Sequence, residues 1–210
     1  MTRIALFVVI VAALAAGLVR ETVKSTPPLP FYDSADLTPR WARSSGHRIA
    51  DFSLMAQTGV PITRQDLTGT VHVASFIFTR CAGICPAMVT QLSKVQKAID
   101  GRDAVLISYS VTPRDDTPEA LAAFGRQRGI DPARWKLVTG DAEQIYGLAR
   151  TSYFADDGRL DAGKAAVDQL LHTEKALLVD RDGRLRGVYN ATLPHDIEKL
   201  LGDLERLLER

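Results

Sequence analysis

The stretch Val71–Ile99 constrains the fold more than any other part of the chain. It begins with the apolar run VHVASFIF, continues through TRCAGICPAM, and ends with apolar residues at helical spacing. A strand that is apolar on both faces is typical of the centre of a sheet. Both cysteines of the chain, Cys81 and Cys85, stand where this strand gives way to the helix. Because a helix N-terminus stabilises a thiolate, the junction predicts a chemically active thiol pair.

The spacing of the two cysteines argues against a purely structural disulfide. Cys81 and Cys85 would close only a very small loop, and the entropic gain from cross-linking such a loop is small. Positions i and i+4 of a helix share one face, so two thiolates can converge there on one ion. Soft thiolates select Cu(I), zinc or iron–sulfur clusters, and two of them leave a position for a third ligand. The pair is therefore either redox-active or metal-binding.

The order of elements predicts the fold class. Alternating residues from Asp51 predict a short hairpin, and AVLISYSV (104–111) reads as a second buried strand. Thr117 and Pro118 have the residue types of a helix N-cap and first helical position. The pattern then predicts a strand after Trp135, a short helix after Gly140–Asp141 and an exposed excursion over 152–168. The chain ends with a predicted hairpin of ALLVD and RLRGVY and a last amphipathic helix with Leu193 on its apolar face. This order predicts an α/β, thioredoxin-like fold with an N-terminal hairpin extension, preceded by a single N-terminal hydrophobic helix.

The first residues predict a membrane or export segment. Arg3 precedes an uninterrupted apolar run from Ile4 to Val19, slightly shorter than the roughly 20 residues that span a bilayer. We expect residues 1–24 to be a membrane anchor or uncleaved signal, although Ala13–Ala15 could serve as a cleavage site. Residues 25–48, with four prolines, are expected to form an extended linker, part of which packs on the domain through Phe31, Tyr32 and Trp41. Residues 49–210 then form the domain, outside the cytoplasm.

Composition excludes one class of partner. Among 210 residues, 26 Lys and Arg balance 25 Asp and Glu, which leaves a net charge of +1. The basic field on which nucleic-acid binding depends is therefore missing, and we expect no nucleic-acid partner. The sequence also contains no phosphate-binding glycine loop and no HExxH zinc motif.

Four histidines are candidates for the third ligand of a metal site. His72 lies within the strand, His47 precedes the domain, and His195 opens the last helix. His172 stands four residues before the strand ALLVD, which in a thioredoxin-like fold lies antiparallel beside the strand 71–78. Its entry then lies near the exit of that strand, so His172 would arrive beside Cys81. At this point a ligand and an ordinary solvated histidine remain equally open.

Several motifs together resemble the SCO/SenC family of copper-binding proteins of cytochrome c oxidase assembly. They are TRCAGICPAM after the FIF strand, ISYSVTPRDDTPEAL, WKLVTGD and HTEKALLVDRDGRLRGVY. The resemblance implies a membrane-anchored, thioredoxin-like protein that binds copper, Cu(I) or Cu(II), through Cys81, Cys85 and His172. It further implies a bacterial inner-membrane location with the domain in the periplasm. The implied partners are cytochrome c oxidase subunit II as copper recipient and a periplasmic copper donor. The family usually has Asp where Thr112 stands.

A rival hypothesis is a thiol-disulfide reductase that keeps the oxidase cysteines reduced, with Cys81 and Cys85 cycling between dithiol and disulfide. A peroxide-reducing enzyme is a weaker alternative, because no further cysteine could act as the resolving thiol.

Other candidate residues have structural interpretations. Asp115 and Asp116 precede a helix and are interpreted as offsetting its dipole. Met88 has the helical register of a core residue.

Overall fold

The described residues form one seven-stranded sheet with helices on both faces. A computed structural model describes residues 27–42, 46–156 and 173–209. The strands are β1 Ser53–Ala56, β2 Pro61–Thr63, β3 Val71–Ile77, β4 Ala104–Ser110, β5 Trp135–Thr139, β6 Lys175–Val179 and β7 Leu185–Asn190. The helices are α1 Cys85–Ala98, α2 Pro118–Arg128, α3 Ala142–Gly147 and α4 Pro194–Leu208; a 3₁₀ turn spans Arg64–Leu67 and a π turn Leu148–Ser152.

The sheet has the strand order β2-β1-β5-β4-β3-β6-β7. Strands β3, β4 and β5 are parallel, whereas the hairpins β1–β2 and β6–β7 add antiparallel pairs at the two sides. The predicted N-terminal hairpin is confirmed, and so is the predicted central position of β3, because all seven of its residues are buried.

Alternation along β3 divides the interior into two cores. Val71, Val73 and Ile77 pack with the apolar sides of α1, α2 and α4 on one face. Ala74 and Phe76 pack on the other face with α3 and with the chain that follows it. Helices α1, α2 and α4 follow β3, β4 and β7, and these three strands run in the same direction. The N-termini of the three helices therefore lie at the end of the sheet where β3 ends.

The ends of α2 follow the residue types that the sequence places there. The Thr117 hydroxyl accepts the N–H of Ala120 at 3.3 Å, and Pro118 occupies the first turn. The helix ends at Gly129, whose φ of 67° is readily adopted by glycine alone.

One expectation about these segments is wrong, and a second is wrong for the residues at its start. Leu193 is 40% exposed because it is the extended N-cap of α4, outside the first turn, whereas Ile197, Leu200 and Leu204 form the buried face. The segment expected to be an exposed excursion begins with buried residues: Tyr153 is fully buried, and Phe154 and Ala155 nearly so. The remainder of that excursion, 157–168, lies outside the described residues.

The proline-rich arm, residues 27–42, packs on the domain. Leu29 is buried, and the Tyr32 N–H donates to the Leu185 carbonyl at 3.0 Å. Trp41 departs from the expectation, because it is 60% exposed. The predicted anchor, 1–24, lies outside the described residues. Within the part of the chain that the structure does describe, no helix is long and apolar enough to cross a membrane.

Candidate metal centre

The two cysteines lie at the end of β3, as the sequence predicts. Residues 78–84 form the turn between β3 and α1, and Cys85 is the first residue of α1, followed by Pro86. Cys81 is partly exposed, whereas Cys85 is only 4% exposed and packs in the core. Both are free thiols. The N–H of Cys85 donates to the Cys81 sulfur at 3.4 Å, which aims the first turn of the helix at that sulfur.

The surroundings of the two sulfurs move their pKa values in opposite directions. Partial burial alone would raise the pKa of the Cys81 thiol. A hydrogen bond from the Cys85 thiol and the backbone amides of residues 83–85 stabilise its thiolate and outweigh that cost, so the pKa of Cys81 is lowered. Burial, donation to the Cys81 sulfur and the negative charge of Asp116 raise the pKa of Cys85. The outer sulfur is therefore the more readily ionised of the two.

A buried carboxylate fixes the turn that carries the cysteines. Asp116 is 1% exposed. It accepts the backbone N–H of Thr79 at 3.1 Å and the Thr79 hydroxyl at 2.5 Å. It also accepts the hydroxyls of Ser110 at 2.6 Å and of Thr112 at 3.0 Å. One carboxylate thus ties the end of β3 to the end of β4 and to the start of α2.

The interpretation of Asp115 and Asp116 as a pair that offsets the helix dipole missed this role. Asp115 is half-exposed and forms a surface ion pair with Arg80, so the two neighbours behave quite differently. The signal in the sequence was the set of hydroxyl residues Thr79, Ser110 and Thr112 at the ends of two buried strands. A buried hydroxyl at such a position needs a hydrogen-bond partner.

His172 lies outside the described residues, which resume at Thr173. The register of the antiparallel pair β3–β6 joins Ala74 to Leu177. Each step toward the end of β3 is one step back along β6, so the continued register brings Thr173 level with Phe78. Thr173 is 5% exposed. The described chain therefore re-enters the domain beside the turn that holds Cys81.

The other three histidines each lie beside a polar group away from the cysteine turn. The His72 Nε2 lies 3.3 Å from the Tyr153 hydroxyl, and burial lowers the pKa of His72 to about 4. The His47 Nε2 lies 2.9 Å from the carbonyl oxygen of Ser152. His195 is exposed beside the Asp196 carboxylate. The prediction that Met88 is a core residue is confirmed, because it is fully buried.

The donor set suits a soft metal ion. Within residues 27–42, 46–156 and 173–209, no group of three His, Cys, Asp or Glu side chains is arranged to hold a metal. The donors that the described residues offer at the cysteine turn are the two sulfurs, and the thiolate of Cys81 is the stabilised one. Thiolate donors favour copper, zinc or iron over calcium or magnesium.

Comparisons with known proteins identify the family and agree with the fold. A family profile described as SCO1/SenC matches residues 42–209. A SCO1/SenC family lipoprotein from Bacillus anthracis superposes with a TM-score of 0.67 at 30% identity, over 77% of this chain and 95% of that one. BsSco, a member of the Sco family of cytochrome c oxidase assembly proteins with an identified disulfide switch, gives 0.65 at 27% identity, over 78% and 94%. Copper-bound ScoI from Bradyrhizobium japonicum gives 0.59 at 28% identity, over 76% and 98%.

Proposed function

Because the chain belongs to the SCO1/SenC family, we propose that it binds copper for the assembly of cytochrome c oxidase. The proposed ligands are the sulfurs of Cys81 and Cys85 and the imidazole of His172. The observation that carries the proposal is the pair of free thiols at the N-terminus of α1, with the Cys81 sulfur 3.4 Å from the Cys85 amide nitrogen. Bradyrhizobium japonicum ScoI, which has copper bound, supports copper as the metal.

In this proposal copper is cargo, and the protein holds it for transfer. Cys81 is partly exposed and lies on the turn, while Cys85 is held in the core. Two thiolates and one imidazole leave the ion open to an incoming thiolate or imidazole. Copper can then leave by ligand exchange, with Cys81 as the accessible sulfur, without unfolding of the domain.

The proposed recipient is the dinuclear copper site of oxidase subunit II, loaded in the periplasm with copper from a periplasmic donor. Residues 1–24 are proposed to anchor the protein in the bacterial inner membrane, residues 25–48 to link anchor and domain, and residues 49–210 to form the domain. BsSco, a cytochrome c oxidase assembly protein, supports the oxidase as partner. The Bacillus anthracis lipoprotein supports association with a membrane.

A copper titration tests the ligand set. The reduced protein is titrated with Cu(II) while the visible spectrum is recorded. We expect intense sulfur-to-copper charge-transfer bands that saturate at one equivalent, are altered or lost in His172→Ala, and persist in the matched control His195→Ala. Retention of the full wild-type spectrum in His172→Ala would remove His172 from the site.

A second candidate function is reduction of a partner disulfide by the same two cysteines. The observation that favours it is the opposite direction of the two pKa shifts, lowered at Cys81 and raised at Cys85. An ionised, partly exposed thiol suits attack on a disulfide, and a protonated buried thiol can resolve the mixed disulfide afterwards. The disulfide switch of BsSco supports this possibility.

Brief alkylation distinguishes the two sulfurs. With limiting iodoacetamide at neutral pH, we expect the label to accumulate on Cys81 rather than on Cys85, as read by fragmentation of the peptide that holds both. The reductase function further requires that the copper-free dithiol reduces an oxidised oxidase peptide. Equal labelling of both cysteines, or no reduction of that peptide, would argue against the reductase.

A further inference from the structure

An exposed groove lies at the β7 edge of the sheet, away from the cysteines. It has a volume of about 370 Å³, between the arm, β7 and α4. Its apolar lining includes Pro27, Pro28, Pro39 and Trp41, all of them exposed. The family match begins at residue 42, so this apolar lining from the arm lies outside the matched region.

The arm presents Trp41 because it folds back on itself. The N–H of Phe31 donates to the Arg40 carbonyl at 2.7 Å, and the N–H of Arg40 donates to the Phe31 carbonyl at 2.9 Å. Trp41 therefore stands beside Pro30 and close to the start of the arm. Arg186 anchors this fold, since it donates to the carbonyl of Pro30 at 2.9 Å and lies 4.0 Å from the centre of the Phe31 ring. The hydrogen-bonded arm thus holds Trp41 in an exposed position.

An exposed basic side chain borders the groove. Lys199, Arg186 and Arg206 line it together with the Asp203 carboxylate, but the Arg186 side chain is only 8% exposed and pairs with Asp180. Arg206 contacts both Asp203 and the carbonyl of Pro27, while Lys199 is exposed on α4. An exposed tryptophan beside an exposed lysine suits a surface that lies at the boundary between lipid headgroups and acyl chains.

The sequence places this groove close to the proposed anchor. The apolar run ends at Val19, and Pro27 already lines the groove. Eight residues of fully extended chain span at most about 28 Å. Arg20 and Lys24 lie in this short connection. The groove therefore cannot move far from the bilayer in which the anchor would reside.

We propose that the groove face, defined by Pro27, Pro28, Pro39, Trp41 and Lys199, rests on the surface of the bilayer that holds the anchor. The occupant is the headgroup region of a membrane containing anionic phospholipid. Trp41 enters the boundary with the acyl chains, and Lys199 faces the phosphates. This inference rests on the proposed anchor at residues 1–24.

The orientation sets the height of the metal centre. The groove lies at β7, and β3 is the third strand from that edge, after β6. Two strand spacings of about 4.8 Å place the end of β3 about 10 Å farther from the membrane than β7. The turn that holds Cys81 then lies close to the membrane surface, within reach of a partner embedded in the same bilayer.

The experiment uses the two tryptophans of the full-length chain. Trp135 is fully buried, so Trp41 is the one open to its surroundings. The protein is reconstituted into vesicles of phosphatidylcholine and phosphatidylglycerol, with or without brominated acyl chains, and floated on a density gradient. We expect the brominated lipid to quench a large part of the wild-type emission and little of the emission of Trp41→Phe.

A matched control moves the probe to the opposite edge of the sheet. Val60 is also 60% exposed and lies beside β2, the other edge strand. In the double variant Trp41→Phe, Val60→Trp, we expect little quenching. Equal quenching of this variant and the wild type, or no quenching of a wild-type protein that floats, would overturn the proposal. Failure to float would overturn it together with the anchor. The copper spectrum of the same vesicles reports separately on the metal centre.

Discussion

At the scale of single residues, Asp116 determines the shape of the cysteine turn. It is the common acceptor for the backbone N–H of Thr79 and for three hydroxyls, in a position that is 1% exposed. Removing a buried acceptor leaves its donors without a hydrogen-bond partner, and hydrogen bonds to charged groups are stronger than neutral ones. We expect Asp116→Ala to lower the free energy of unfolding by about 3 kcal/mol, measured by urea denaturation.

The neighbouring residue provides the control for Asp116. Asp115 forms an exposed ion pair with Arg80, and exposed pairs contribute less than about 1 kcal/mol. Asp115→Ala should therefore leave the urea midpoint almost unchanged. If both variants were destabilised equally, the buried network would not be what holds the turn.

His72 makes the stability of the fold depend on pH. Burial lowers its pKa from 6.5 to about 4 in the folded protein. The unfolded chain therefore takes up a proton near pH 6.5, whereas the folded protein does not until about pH 4. Stability from this group is complete above pH 6.5 and falls by about 3 kcal/mol as the pH approaches 4.

The variant His72→Leu tests this pH dependence. Removal of the imidazole should flatten the curve of unfolding free energy against pH between 6.5 and 4, relative to the wild type. Denaturant unfolding at several pH values measures both curves. Parallel curves for the two proteins would mean that His72 is not responsible for the loss of stability.

At the scale of elements, the arm depends on one buried arginine of β7. The Arg186 side chain is 8% exposed and pairs with Asp180 at 2.9 Å. It also donates to the carbonyls of Leu29 and Pro30. Arg186→Ala removes the ion-pair partner of the largely buried Asp180 carboxylate, which keeps its two backbone hydrogen bonds, so we expect a cost of about 2 kcal/mol. We expect residues 29–32 to detach as well.

Hydrogen exchange at one amide reports on the arm directly. The Tyr32 N–H donates to the Leu185 carbonyl at 3.0 Å, so its exchange should accelerate strongly in Arg186→Ala. In Arg102→Ala, which breaks an exposed pair with Glu205, the Tyr32 amide should stay protected. Unchanged exchange in Arg186→Ala would show that other contacts hold the arm.

The elements themselves were largely predictable from local pattern. Continuous apolar runs predict β3 and β4, and Thr117 and Pro118 specify the start of α2. Tertiary contacts decided the rest. Nothing local to Asp116 shows that Thr79, 37 residues earlier, will meet it. Leu193 matches the apolar spacing of α4, yet the helix begins one residue later.

At the scale of the whole molecule, the fold brings distant segments to one end of the sheet. The cysteine turn follows β3, Asp116 follows β4, and Thr173 precedes β6. The sequence predicts the two sulfurs and their place at a strand-to-helix junction, because that signal is contiguous. The third ligand was a matter of topology and family resemblance, and His172 stays a prediction.

The central claim is that one copper ion is held by two sulfurs and the imidazole of His172. X-ray absorption at the copper edge of the one-to-one complex measures the ligand types directly. We predict scattering from two sulfur atoms and one imidazole, with the imidazole contribution lost in His172→Ala and retained in His195→Ala, and one sulfur lost in Cys81→Ser. A wild-type spectrum with fewer than two sulfurs, or an imidazole contribution that survives in His172→Ala, would contradict the account.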